Sequence, residues 1–221
     1  MLGNWTRCAN NVDTNRMSIK ITSFVLFLVI FSSQALAKEY HFFGYHLPAP
    51  PTEGSDAYRQ DFTILHELQD HRTPEECTLA DTQSSLTLND AFGPQTGVLT
   101  EAEVKKAKIL SIRVIARTAV AVFYYKTKFK RPRPFNEDST LAPCIRLPHD
   151  MAYPSGHAAT GYALALALSK KFPEKKDIIM KQGLQIGENR LIGGVHHPSD
   201  VLAGQDLAAQ VVKHMYFSRA H

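Results

Sequence analysis

The sequence predicts an all-α, single-domain fold, and three observations carry that prediction. Strand-like alternation is nearly absent. Apolar residues recur at helical spacing along most of the chain. Between those stretches lie helix start and stop signals of recognisable chemistry. The 221 residues suit one domain once an N-terminal leader is set aside.

That leader is the first element. Lys20 supplies a basic start, Ile21 to Phe31 is an apolar run too short to span a bilayer, and Ala35-Leu36-Ala37 is a small-x-small cleavage site before Lys38. Met17 to Ala37 therefore reads as a secretory signal. A membrane anchor is the alternative, and the length of the run argues against it. Residues 1–16 are polar and read as an upstream extension, which leaves 38–221 as the functional domain. The formal net charge of +4 drops by two when Arg7, Arg16, Lys20 and Asp13 go with the leader. So mild a basic excess does not argue for a nucleic-acid partner. The most apolar later stretch, Ala158 to Leu168, is too short and alanine-rich to cross a membrane. The expectation is a periplasmic or secreted protein with no stable membrane insertion after cleavage. Cys77 and Cys144 remain, and an oxidising compartment suits either one disulfide or two separate buried thiols.

Residues 40–54, rich in aromatics and proline, predict an extended arm over a core. From Asp56, the spacing of Tyr58, Phe62, Leu65 and Leu68 predicts a helix. Thr73-Pro74-Glu75-Glu76 combines an N-cap, proline at the first helical position and a glutamate three residues on. Thr100 with Glu103 is a second capping box, opening a long helix to about Phe129. Ile112, Ile115, Ala119 and Val122 are its predicted buried stripe. Lys126 continues that face; it either points inward towards a counter-charge or snorkels out at the helix end. Pro132 and Pro134 stop the helix. Ser155 is an N-cap for a helix from about Gly156 to Lys171. Pro173 starts another to about Ile192, with Ile179, Gly183, Ile186 and Arg190 on one face and Gly193-Gly194 as its stop. Pro198 opens the last, ending near His214.

Three short segments carry the chemistry: Lys126 to Pro134 (KTKFKRPRP), Pro154 to His157 (PSGH) and Arg190 to Asp200 (RLIGGVHHPSD). Phosphoryl transfer asks a protein mainly for positioning and charge stabilisation. Lys126, Arg133 and Arg190 can neutralise phosphoryl oxygens. Ser155 and Gly156 open a helix whose free N–H groups attract anions, and the glycine lets the backbone approach closely. His196 and His157 are the proton-active pair. Asp200, four residues after His196, can hold its Nδ1 proton and present Nε2 as nucleophile, which makes His157 the acid. An acid of that kind favours mildly acidic pH, free imidazole titrating near ~6.5. His196, His197 and Asp200 could instead form half a metal site, but the surrounding cations repel a divalent ion. Lys128, Lys130 and Arg131 are expected on the surface, drawing in anionic substrates.

With these residues in place, the chain resembles the phosphatidic acid phosphatase type 2 superfamily, closest to bacterial class A non-specific acid phosphatases. Their pattern is Lys-x6-Arg-Pro, then Pro-Ser-Gly-His, then Ser-Arg-x5-His-x3-Asp. Lys126, Arg133 and Pro134 match the first part, Pro154 to His157 the second, and Arg190, His196 and Asp200 the third. Asn189 stands where the family has serine. The resemblance implies a helical fold and His196 as the residue that becomes phosphohistidine. It implies His157 as general acid and Asp200 as orienting partner. Lys126, Arg133, Ser155, Gly156 and Arg190 become phosphate ligands. It implies small phosphate-ester substrates, no cofactor, and vanadate as an inhibitor. Alternatives are a lipid-phosphate phosphatase at a membrane surface, favoured by the stretch from His196 to Asp200, a vanadate-loaded haloperoxidase, and a non-catalytic anion binder. Oligomeric state stays open, a homo-oligomer included.

Overall fold

The computed structural model describes residues 40–83 and 85–217. The signal-peptide and upstream-extension readings concern residues 1–37 and lie outside them. The helices are α1 (Asp56–His71), α2 (Pro74–Thr82), α3 (Leu88–Phe92), α4 (Glu101–Phe129), α5 (Pro134–Glu137), α6 (Gly156–Lys171), α7 (Lys176–Ile192) and α8 (Pro198–Phe217). Among the described residues none of these is long and apolar enough to cross a membrane.

Local chemistry sets most helix ends. Thr73 with Glu76 and Thr100 with Glu103 form complete capping boxes, and Ser155 accepts from the Ala158 N–H. These bonds satisfy N–H groups that have no partner inside the helix. Helix α4 stops when Lys130 turns left-handed at φ 51°, two residues before Pro132. Pro173 opens a 3₁₀ turn, Pro173–Lys175, rather than α7 itself.

Helix α6 is central, packing against α4, α7 and α8. Its Ala158, Ala159, Ala163, Leu164, Ala165, Ala167 and Leu168 are all buried, so it is apolar almost all round, as an interior helix must be. Its small side chains let neighbours come close. At Gly204 of α8 a Cβ would lie 2.6 Å from the Ser155 carbonyl oxygen, so only glycine fits. Leu164, Leu168, Ile179, Ile186 and Leu207 are fully buried, each contributing about 1.5–3 kcal/mol.

Two expectations need correction. The arm at residues 40–54 contains a small hairpin, β1 (Tyr40–Phe42) paired antiparallel with β2 (Tyr45–Leu47). The Gln210 amide completes it, meeting the N–H and the carbonyl of His46 at 2.8 Å each, much as a third strand would. The buried stripe of α4 is Ala107, Ser111, Val114, Thr118, Ala121, Val122, Tyr125 and Lys126, whereas Ile112 and Ala119 are exposed and Ile115 half-buried. Ala107, Ser111, Thr118 and Ala121 keep much of that stripe small, which lets a neighbouring helix approach.

A second, smaller apolar cluster of Ala80, Ile145 and Val195 gathers Phe135, Cys144 and Ile192. The Cys77–Cys144 disulfide closes the chain beside it, at a sequence separation of 67. A loop of that size contributes about 4 kcal/mol by the chain-entropy argument.

Candidate active site

Lys126 resolves the first question at the site. It is on the buried face of α4, its side chain 10% exposed, and its Nζ lies 2.9 Å from Asp150 Oδ2. It also donates to the Met151 carbonyl. Burial and then Arg133 push its pKa down, while Asp150 opposes them. Arg133, the N-cap residue of α5, is equally enclosed. Its Nε donates to the Asp150 carbonyl at 2.9 Å, and its Nη2 to Asp150 Oδ1. Its Nη1 serves both the Val195 carbonyl and His196 Nε2, at 2.8 Å each.

That last contact assigns the His196 tautomer. A guanidinium has only donors, so Nε2 must be the lone-pair acceptor and the ring proton must sit on Nδ1. Nδ1 faces Asp200 Oδ2 at 3.4 Å. Burial, then the Arg133 charge, hold the His196 pKa well below the usual imidazole range. The ring is therefore neutral, with its Nε2 lone pair directed at a cation.

Asp200 is in the first turn of α8 and is shared. Its Oδ2 takes the His197 backbone N–H at 2.8 Å and His197 Nδ1 at 2.9 Å, both shorter than its contact with His196. Its Oδ1 takes Arg131 Nη1 at 2.7 Å. Arg131 also reaches Ser199 Oγ at 2.7 Å and Asp61 Oδ2 at 2.9 Å. Asp61, on α1, in turn accepts the Ser199 N–H at 3.0 Å. Burial would raise the Asp200 pKa; His197, Arg131 and the histidine hydrogen bonds outweigh it and hold it far below the carboxylate range. Burial would lower the His197 pKa; the charge and hydrogen bond of Asp200, with Glu137, raise it. Glu137 Oε2 lies 3.1 Å from His197 Nε2, outside hydrogen-bonding angles.

Arg131 thus corrects an expectation: it is 5% exposed and locked in an ion network, whereas Lys128 and Lys130 are exposed as anticipated. The donors of the metal-site alternative already have protein partners. His196 Nε2 is taken by Arg133, and Asp200 is taken by His197 and Arg131. Among the described residues no trio of His, Cys, Asp or Glu side chains could hold an ion.

The remaining predicted residues enter from α6 and α7. The Ser155 N–H donates to the Asp200 carbonyl at 2.9 Å, which ties the α6 N-terminus to the first turn of α8. Gly156 follows; a Cβ there would have Val122 at 3.5 Å and the Lys126 Cε at 4.0 Å, so that edge of the turn looks toward the lysine. His157 is half-buried on the same first turn. Arg190 is 3% exposed at the end of α7. One of its terminal nitrogens donates to the Ala80 carbonyl, and its Nε is buried without a partner. Burial, with Arg133 nearby, lowers its pKa to about 10. Arg133, His196 and Asp200 are thus joined by direct contacts, Lys126 is linked to Arg133 through Asp150, and Ser155 and Gly156 lie beside them. Arg190 points its terminal donor at α2 instead. Asn189 is fully buried and satisfied: its amide nitrogen donates to Gln83 at 2.7 Å and its oxygen accepts from Gln185 at 2.9 Å. The amide ties α7 to the end of α2.

Sequence reasoning missed Asp150, Asp61, Ser199 and the internal role of Arg131. Asp61 left a signal: it lies three residues after Tyr58 and four before Leu65, a carboxylate inside an apolar stripe. Asp150 left none. It lines a cavity of about 500 Å³, with Arg133, Phe135, Leu147, Pro148 and Met151 among its other walls.

A buried neutral imidazole beside two buried cations and a helix N-terminus can receive a tetrahedral anion. Comparison with known proteins agrees with that chemistry. The PAP2 superfamily model matches residues 107–219. A non-specific acid phosphatase of Providencia stuartii is 32% identical over 176 residues, 75% of this chain and 71% of the relative. Two solved structures share the fold. A transmembrane PAP2-type phosphatidylglycerolphosphate phosphatase of Bacillus subtilis has a TM-score of 0.56 at 19% identity, covering 76% of this chain and 88% of its own. A bacterial vanadium-dependent iodoperoxidase has a TM-score of 0.55 at 17% identity, covering 75% and 51%. With its helical fold, its three motifs and this likeness along most of its length, the chain belongs to the PAP2 superfamily.

Proposed function

We propose that this protein is an acid phosphatase that hydrolyses phosphate monoesters through a phosphohistidine on His196, needs no metal, and acts in a periplasmic or secreted setting. The observation that carries the reading is the His196 ring, neutral and with its Nε2 lone pair turned to Arg133. An imidazole kept unprotonated beside fixed cations suits attack on an anionic phosphorus centre. The phosphoryl group of the ester takes the place beside Nε2, with Lys126, Arg133 and the Nε edge of Arg190, which has no hydrogen-bond partner, on its oxygens and the Ser155-Gly156 turn beneath it. Nε2 attacks phosphorus, the ester P–O bond breaks, and His157 gives its proton to the leaving oxygen. Water then attacks the phosphohistidine, His157 takes a proton from that water, the P–N bond breaks and phosphate leaves. Asp200 keeps the Nδ1 proton in place and offsets the positive charge on the phosphorylated ring.

The test is His196→Ala with a chromogenic aryl phosphate. Turnover is expected to fall about a thousandfold or more with circular dichroism unchanged; near-full activity would rule out this nucleophile. Vanadate should inhibit the wild type, and chelators should not. Presenting phosphatidic acid in micelles beside the soluble ester separates a lipid substrate from a soluble one.

A further inference from the structure

We infer that Asp150 is an internal occupant of the anion cradle, a carboxylate that substrate phosphate must displace and that returns as product phosphate leaves. The inference rests on the phosphate-site reading above and adds a residue that none of the three motifs contains.

The carboxylate spends both oxygens on the two cations assigned to phosphate. Oδ1 meets Arg133 Nη2 and Oδ2 meets Lys126 Nζ. A phosphoryl group offers the same pair of acceptors to the same donors. The partners differ in freedom. The side chains of Arg133 and Lys126 are 4% and 10% exposed, whereas that of Asp150 is 59% exposed. The enclosed cations stay in place, whereas the carboxylate can turn into water once a phosphoryl group replaces it on both donors. The cavity supplies the route, since Asp150 and Arg133 line it while His196 does not. The carboxylate is thus reached from the cavity and sits on the same guanidinium that holds the imidazole. It also remains an anion throughout the working range: burial pulls its pKa up, but Lys126 and Arg133 hold it at about 2.

Competition of this kind lowers apparent affinity by the fraction of time the cradle is closed. The experiment is calorimetric titration of the full-length protein and its Asp150→Asn variant with inorganic phosphate, alongside aryl phosphate kinetics. The variant is expected to bind phosphate about tenfold more tightly. KM should fall in proportion, kcat should not rise, and product inhibition should deepen. Added acetate, a free carboxylate, should inhibit the variant competitively and leave the wild type nearly untouched. Asp150→Ser must move the same way, and it guards against a local disturbance from the amide. If both variants bind phosphate no more tightly than wild type, Asp150 merely positions Arg133 and the inference falls while the phosphatase reading stands. If the wild type itself neither binds phosphate nor turns over the ester, both readings fall together.

Discussion

His196 stands between two charged regions of different construction. Behind it, Arg131 bridges Asp61 and Asp200, whose side chains are 3% and 0% exposed, and Asp200 also holds His197. Every member is enclosed and paired. In front, Lys126 and Arg133 share one carboxylate that is more than half exposed, and Arg190 keeps a buried Nε with no partner. The rear sets two carboxylates against Arg131 and a histidine whose pKa is raised, whereas the front carries more cation than its own chain neutralises. A closed network suits support; an unbalanced, half-open one suits a visiting anion.

The largest expected effect on stability lies in the rear. Arg131→Met leaves Asp61 and Asp200 buried without their cation and should cost about 3–5 kcal/mol in chemical denaturation. A loss below about 1 kcal/mol, the range of surface ion pairs, would erase the contrast between the regions. Next comes a pH dependence. The His197 pKa is raised in the folded protein, so its contribution is complete below the unfolded value near ~6.5 and fades as pH rises through the folded value. The stability gap between wild type and His197→Gln should be widest at mildly acidic pH and narrow towards alkaline pH. A gap that widened with pH would reverse the assignment. The smallest effect on stability is expected at the front. In Gly156→Ala the added methyl meets Val122 at an ordinary 3.5 Å, so denaturation should shift by no more than about 0.5 kcal/mol. Phosphate affinity should nevertheless fall, because the methyl enters the space beside Lys126. Unchanged affinity would mean that no anion sits against that turn.

What the chain discloses about itself divides along similar lines. The limits of α4 and α6 were readable because Thr100, Glu103 and Ser155 cap by bonds within three residues. The motif residues were readable because their type and spacing suit one chemistry. The buried face of α4 was not: Ile112 looks like core until α6 lies against the opposite side. Arg131 and Arg133 stand one proline apart in a basic run, and only contacts some seventy residues away separate the enclosed pair from the exposed Lys130. Asp150 had no local mark at all, since its partners come from a helix and a turn on the far side of a long loop.

The bridge between Cys77 and Cys144 reaches further than its own neighbourhood. Three residues after Cys77 comes the carbonyl that anchors the guanidinium of Arg190, and six residues after Cys144 comes Asp150. One covalent link thus lies within a few residues of a cation's anchor and of the carboxylate that screens its neighbours. Such a bond persists in an oxidising compartment, the setting proposed for this protein.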